Sequence, residues 1–250
     1  MEQTKKLGMN KTGIDMAPIE SKKMIQGTEE LSRPRVPQGD QTAVSQNRIR
    51  MIKESEYPVG SVPMPGTMKG ALKTGMQMLQ GNDAKILIDK LGERLAFERA
   101  GVRLYDALIS KHLASEDQAA LPPIDRIQEI RNEELRHFHL VADVMRQLGA
   151  DPTAQTPSAD VIGVASMGIQ KVATEARMGF SDTLCAILTA ELTDNAGWTL
   201  LIQLAQEAGL KDAVTSFQEA LAREQEHLES VQSWVQEITL SQMRMKKQAA

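Results

Sequence analysis

Apolar side chains recur at intervals of three and four residues over the second two-thirds of the chain, which predicts four long helices. The first, over about 83–113, carries Ile88, Leu91, Leu95, Val102, Tyr105 and Ile109 on one face. The second, over about 123–149, starts after Pro122-Pro123, ends at Gly149 and shows Ile127, Ile130, Val141, Val144 and Leu148. The third, over about 181–208, has Ser181 as its cap, Gly209 as its stop and a stripe of Leu184, Ile187, Trp198, Leu201 and Leu204. The fourth, over about 211–240, shows Val214, Phe217, Leu221, Leu228, Val231, Val235 and Ile238. Short links join the first helix to the second and the third to the fourth, so each pair forms an antiparallel hairpin. The intervening stretch, Ala150 to Phe180, is long enough to cross the whole assembly, with a helix of its own near Val161–Met178.

The stripes are interrupted by polar residues at positions where apolar ones belong. Glu98 falls between Leu95 and Val102, and Glu191 four residues after Ile187. Glu134 follows Ile130 by four, with His137 one turn on; Glu224 follows Leu221 by three, with His227 one turn on. All six therefore point inward. The halves repeat: each Glu-x-x-His follows a lone Glu, by 36 residues in the first half and 33 in the second. Four carboxylates in one interior are costly and mutually repulsive. Two divalent cations would neutralise them, with neutral imidazoles completing the shells. Oxygen donors with one imidazole per ion suit iron or manganese, although affinity alone admits zinc.

With this pattern the chain resembles the ferritin-like superfamily of di-iron and di-manganese carboxylate proteins, over about residues 83–240. The resemblance implies an all-α fold, a four-helix bundle with one long crossover between the second and third helices. It implies Glu98 and Glu191 as terminal ligands, Glu134 and Glu224 as bridges, and His137 and His227 on one ion each. Tyr105, seven residues after Glu98, matches a tyrosine that lies near the metals in bacterioferritin-like and rubrerythrin-like proteins, or is a core aromatic bonded to a carboxylate. Asp194, three after Glu191, matches an extra carboxylate of rubrerythrin-like proteins, usually a longer Glu. Its role is either direct ligation or a bond to a histidine or water. The implied chemistry is reaction of two metal ions, Fe foremost and Mn next, with dioxygen or hydrogen peroxide, of ferroxidase or peroxidase type and fed by an external electron donor. Iron handling or protection from oxidative stress would be the outcome. The alternative is a non-catalytic iron-binding, storage or adaptor protein.

Composition narrows this further. The chain has 250 residues, 41% hydrophobic and 25% charged, with 3% aromatics, which favours helices over sheets. A net charge of -4 gives no electrostatic basis for nucleic-acid binding. The single cysteine, Cys185, excludes a disulfide framework, a Cys-rich zinc site and an internal rubredoxin-like centre; it reads as an inert packing residue. No apolar run approaches a membrane span, and Met1–Met9 lacks a signal-peptide core, so a cytoplasmic location is expected. Residues 1–66 hold six of the ten prolines and no sustained period, and so read as irregular, a solvated tail or a segment that docks a protein partner. This N-terminus is unlike that of cage-forming ferritins, although a smaller homo-oligomer fits. A short accessory helix is expected over 67–82, with Met64, Met68, Met76 and Met78 as adaptable core filler. His139 reads as outward-facing, His112 as a cation at a helix C-terminus, and Trp198 and Trp234 as core. Residues 242–250, with Arg244, Lys246 and Lys247, read as a solvated tail.

Overall fold

Helix-forming composition and a 3.6-residue period translate into helices alone. The computed structural model describes residues 17–31, 41–56, 59–63 and 82–248, and no strand occurs among them. The chain divides into two units, Met1–Pro58 and Val59–Ala250.

In the first unit the expectation of an irregular segment is corrected. Two helices form, α1 (Pro18–Leu31) and α2 (Gln41–Glu54). Pro18 supplies a preset first turn and Glu20 an acidic residue there. Helix α2 has neither glycine nor proline. Helix α1 buries none of its residues, so no apolar stripe was present to reveal it.

The second unit contains α3 (Asn82–Leu113), a short 3-10 turn (Gln118–Ala120), α4 (Ile124–Gln147), α5 (Pro157–Ala165), α6 (Met167–Thr174), α7 (Phe180–Glu207) and α8 (Lys211–Gln248). The accessory helix expected at 67–82 lies outside the described residues, except that Asn82 opens α3. The tail expected from 242 is also corrected: α8 continues to Gln248, since nothing after Ile238 breaks a helix. The single crossover helix resolves into α5 and α6, broken at Ser166, whose hydroxyl turns back to the Ile162 carbonyl at 2.8 Å. Among the described residues no helix is long and apolar enough to cross a membrane.

Helix α3 packs on α4 and α7, and α8 packs on α7 and α4. Residue pairings show these neighbours to be antiparallel: Arg94 meets Asp194 while His112 meets Phe180, and His227 meets Glu133 while His137 meets Glu224. Both Gly149 and Gly209 adopt positive φ (78° and 68°) just past a helix end. At Gly209 the Leu210 amide donates to the Ala205 carbonyl and the Gly209 amide to Gln206, each at 2.9 Å, a Schellman turn that reverses the chain into α8. The crossover is pinned to α3 through Asp89, which accepts from the Ser158 amide at 2.9 Å and its hydroxyl at 2.6 Å.

The core lies in two apolar blocks. One joins Leu87–Leu95 of α3, Val141–Leu148 of α4, Trp198–Ala205 of α7 and Ala213–Ala220 of α8. The other joins Leu104–Leu108 of α3, Ile127 and Ile130 of α4, Phe180–Ala190 of α7 and Val231 of α8. Each long helix places buried acidic or imidazole residues between the two blocks: Glu98 on α3, Glu133, Glu134 and His137 on α4, Glu191 and Asp194 on α7, and Glu224 and His227 on α8. The apolar blocks supply the burial that drives folding, and the layer between them is sealed from water at both ends.

Candidate metal centre

The six residues that interrupt the apolar stripes all lie in this layer. Glu98, Glu224 and His227 are fully buried, and Glu134, His137 and Glu191 are buried as well. Their ligand atoms form overlapping groups in which every atom lies within 4.8 Å of the others: Glu134, Glu191, Glu224 and His227; Glu98, His137 and Glu224; and Glu98, Glu134, Asp194 and Glu224. His137 Nδ1 lies 2.5 Å from Glu224 Oε1 and 3.9 Å from Glu98 Oε2. His227 Nδ1 lies 3.2 Å from Glu224 Oε2 and 3.4 Å from Glu134 Oε1. The buried side chains and the Glu/His groups could hold a metal ion.

No protein-family model matches this chain, and neither curated proteins nor solved structures give a match. The reading of the site therefore rests on its own geometry.

Two features test whether the donors fit a cation. Oε2 of Glu98 and Oε2 of Glu191 are buried without a hydrogen-bond partner; Oε1 of Glu98 has only the Arg94 guanidinium beside it, and Oε1 of Glu224 and Nδ1 of His137 have only each other. Buried polar atoms are rarely left so, because each costs about 1–3 kcal/mol. These atoms converge on one another without donating, which is the arrangement of ligands around a shared ion. The second feature is the tautomer of His227. Its Nε2 lies 2.7 Å from the Glu133 carboxylate and must donate to it. Once the ring gives up its second proton, Nδ1 keeps a lone pair facing Glu134 and Glu224; while protonated, it donates toward them instead.

The electrostatics agree. Burial pushes the carboxyls of Glu98, Glu191 and Glu224 well above the usual carboxylate range, and the charges of Asp194 and Glu134 push each of them further. Burial raises Glu134 too, against the pull of His227. Burial lowers His137 to about 4, with His227 adding to the effect. Burial also opposes charge on His227, but its bonds to Glu133 and Glu134 prevail and raise it to about 9. Without a cation this interior holds protons in place of charge.

Tyr105 is fully buried and donates its hydroxyl to Glu191 Oε1. Asp194 faces inward as expected and has a partner that was not expected. Its carboxylate is paired with Arg94 of α3, while its ligand atom still lies within reach of Glu98, Glu134 and Glu224. Arg94 and Glu133 are the functional residues that the sequence reading missed. Glu133 is buried, accepts a hydrogen bond from His227 Nε2, and is also 3.1 Å from Arg136. The bond to His227 holds its carboxyl below the usual range.

Of the remaining residues, His139 is exposed, as its spacing predicts. His112 lies in the last turn of α3 as expected but is buried: its Nε2 donates to the Pro122 carbonyl at 3.0 Å, and its ring meets Phe180 edge-on. Cys185 is exposed rather than packed. Trp198 is fully buried, with its ring edge-on to His137 at 5.5 Å, and Trp234 packs partly buried against the second apolar block.

Gly101 faces Glu134 so closely that an added Cβ would overlap the Glu134 carboxylate. The overlapping atom is the far end of a flexible side chain, so the fold can yield while the ligand position cannot. Gly101→Ala is expected to keep the helical circular dichroism signal of the wild type and to weaken divalent-metal binding about tenfold or more, the scale of losing one well-placed ligand or its support. Calorimetric titration with Mn(II) checks this, and unchanged affinity would show that Glu134 needs no such clearance.

Proposed function

We propose that this chain is a ferritin-like dinuclear metal-carboxylate protein. The observation that carries this reading is that Glu224 belongs to every one of the three ligand groups, one containing His137 and another His227. A residue common to both histidine-bearing groups would serve as a bridge. Glu134 joins the His227 group to the group with Glu98 and Asp194, which suits a second bridge. Glu98 would be terminal beside His137, and Glu191 beside His227. The order Glu, Glu-x-x-His, Glu, Glu-x-x-His on four long helices is the ligand pattern of that superfamily.

Bound there, two iron or manganese ions would supply electrons to dioxygen or hydrogen peroxide, and the net activity we infer is of ferroxidase or peroxidase type. The chain's own residues have definable tasks. Glu133 holds the ring of His227. Tyr105 fixes one oxygen of Glu191 and offers a proton beside it. The two apolar blocks exclude water above and below. A cavity of about 520 Å3 between α4 and α8 is lined by Glu133, His137 and Arg223 among others, and gives small oxidants an approach to the His137 side.

The test uses purified full-length chain freed of metal and reloaded anaerobically with Fe(II). Two ions per chain are expected, with consumption of oxygen or peroxide on mixing. Two ions without turnover would favour the storage or adaptor reading. A chain that takes up no Fe, Mn or Zn would end both.

A further inference from the structure

The metal layer contains a cation of its own. Arg94 is buried at 5% exposure, one turn before Glu98 on α3. Its Nε lies 3.0 Å from Glu98 Oε1, its Nη1 donates to the Asp194 carbonyl at 3.1 Å, and its Nη2 pairs with the Asp194 carboxylate. Its guanidinium carbon sits 4.6 Å from the centre of the Phe97 ring. The position is built for it: an added Cβ at Gly197, one turn beyond Asp194, would overlap Nη1. A guanidinium stays charged at any ordinary pH, and burying one without purpose is expensive.

The charge count explains it. Glu98, Glu134, Glu191, Glu224 and Asp194 are five carboxylates in one enclosed layer, one more than two divalent ions neutralise. Glu133 does not enter the count, because it lies at the edge among Arg126, Arg136 and His227. We propose that Arg94 is a built-in counter-cation. It takes Asp194 as its partner and leaves the charge of four glutamates for the two metal ions. Asp194 is thereby the partner of a guanidinium rather than a fifth metal carboxylate. This rests on the dinuclear reading above.

A counter-cation makes an unusual prediction: its two members act with opposite sign. Asp194→Asn leaves Arg94 unneutralised, so the cavity becomes too positive and the weaker of two Mn(II) ions should bind at least about tenfold less tightly. Arg94→Gln leaves the fifth carboxylate free, so the weaker ion should bind at least about tenfold more tightly. In the double variant the changes should cancel to within about threefold. Arg94→Lys, which keeps the charge, should also stay within about threefold of wild type. Titration calorimetry with Mn(II) on full-length chains reads all five proteins without reference to turnover, with circular dichroism as the check on folding.

A purely structural ion pair would weaken Mn(II) binding in both single variants, and that result would overturn the proposal while leaving the dinuclear site intact. If Arg94→Gln does not fold, Asp194→Asn and Arg94→Lys decide: unchanged affinity in the first, or a large loss in the second, overturns it. Absence of Mn(II), Fe(II) and Zn(II) uptake by the wild type would remove the dinuclear reading itself and this one with it.

Discussion

Replacing Glu224 with glutamine is expected to abolish binding of both ions at micromolar metal and, in the same protein, to raise the stability of the metal-free state. The two effects share one cause. Glu224 contributes an oxygen to every ligand group, facing His137 with one oxygen and His227 with the other. An amide of the same shape removes the charge that draws in both ions, so losses of roughly a hundredfold or more at each position are expected from one fewer ionised oxygen donor at close range. Metal-free, the same carboxylate is a liability. It is fully buried, one of its oxygens has only His137 Nδ1 beside it, and burial holds its proton on well above the ordinary range. An amide removes the cost of holding that proton in the folded chain, about 1.4 kcal/mol for each pH unit above the range where the unfolded carboxyl ionises, which is several degrees of melting temperature for a domain of this size. The gain should be small near about pH 4, where the unfolded carboxyl is protonated as well, and should grow as pH rises above it. Metal content after desalting and thermal melts with and without Mn(II) check both halves. Retention of two tightly bound ions would remove the bridging role of Glu224. A variant that loses metal and also melts lower when metal-free would show that the carboxylate stabilises the fold by itself.

Much of this centre was legible because the helical period is unforgiving. Glu98, three and seven residues after Leu95 and Leu91, or Glu224, four and seven after Ala220 and Phe217, has no course but inward once those residues are buried. The relation between the two halves followed from spacing alone. What escaped has physical reasons. Arg94 lies four residues before Glu98 and so on the same face, but a basic residue at the margin of an apolar stripe ordinarily reaches for water. Only Gly197, on another helix, makes room for it, and that pairing is invisible along the chain. Glu133 adjoins a ligand and should flank the face; the bond that draws it in comes from His227, 94 residues away. Asp194 faces inward as expected, but its ion pair with Arg94 could not be read from its own helix, because Arg94 is 100 residues away. Helices α1 and α2 were missed because hydrophobic periodicity reports burial rather than helicity: α1 buries no residue, and α2 exposes Val44, Ile49, Met51 and Ile52.

Metal-free protein is expected to lose stability steadily between pH 6.5 and 8.5, and metal-loaded protein to resist that loss. The sign follows from proton counts. In the native state Glu98, Glu191 and Glu224 hold protons well above the ordinary range, and His227 holds its proton up to about 9. In the unfolded chain carboxyls ionise near pH 4 and histidine near 6.5. Above pH 6.5 the native state therefore binds more protons than the unfolded one, and stability falls with rising pH, by about 1.4 kcal/mol per pH unit for each proton held in excess. The contribution of His227 is fully present below 6.5 and is lost as pH passes through 9. His137 acts in the opposite direction, since it is neutral in the native state down to about 4, but its effect is confined to pH below 6.5. The window above that value isolates the excess protons. Divalent ions displace them, so affinity should climb with pH, and each tenfold gain adds about 1.4 kcal/mol to the loaded state through mass action. The gap in melting temperature between chains with excess Mn(II) and chains freed of metal should thus widen from pH 6.5 to 8.5. A gap that stays constant, or a metal-free protein that grows more stable over this interval, would mean that the glutamates are ionised and compensated without metal, and the case for cations at this centre would fall with it.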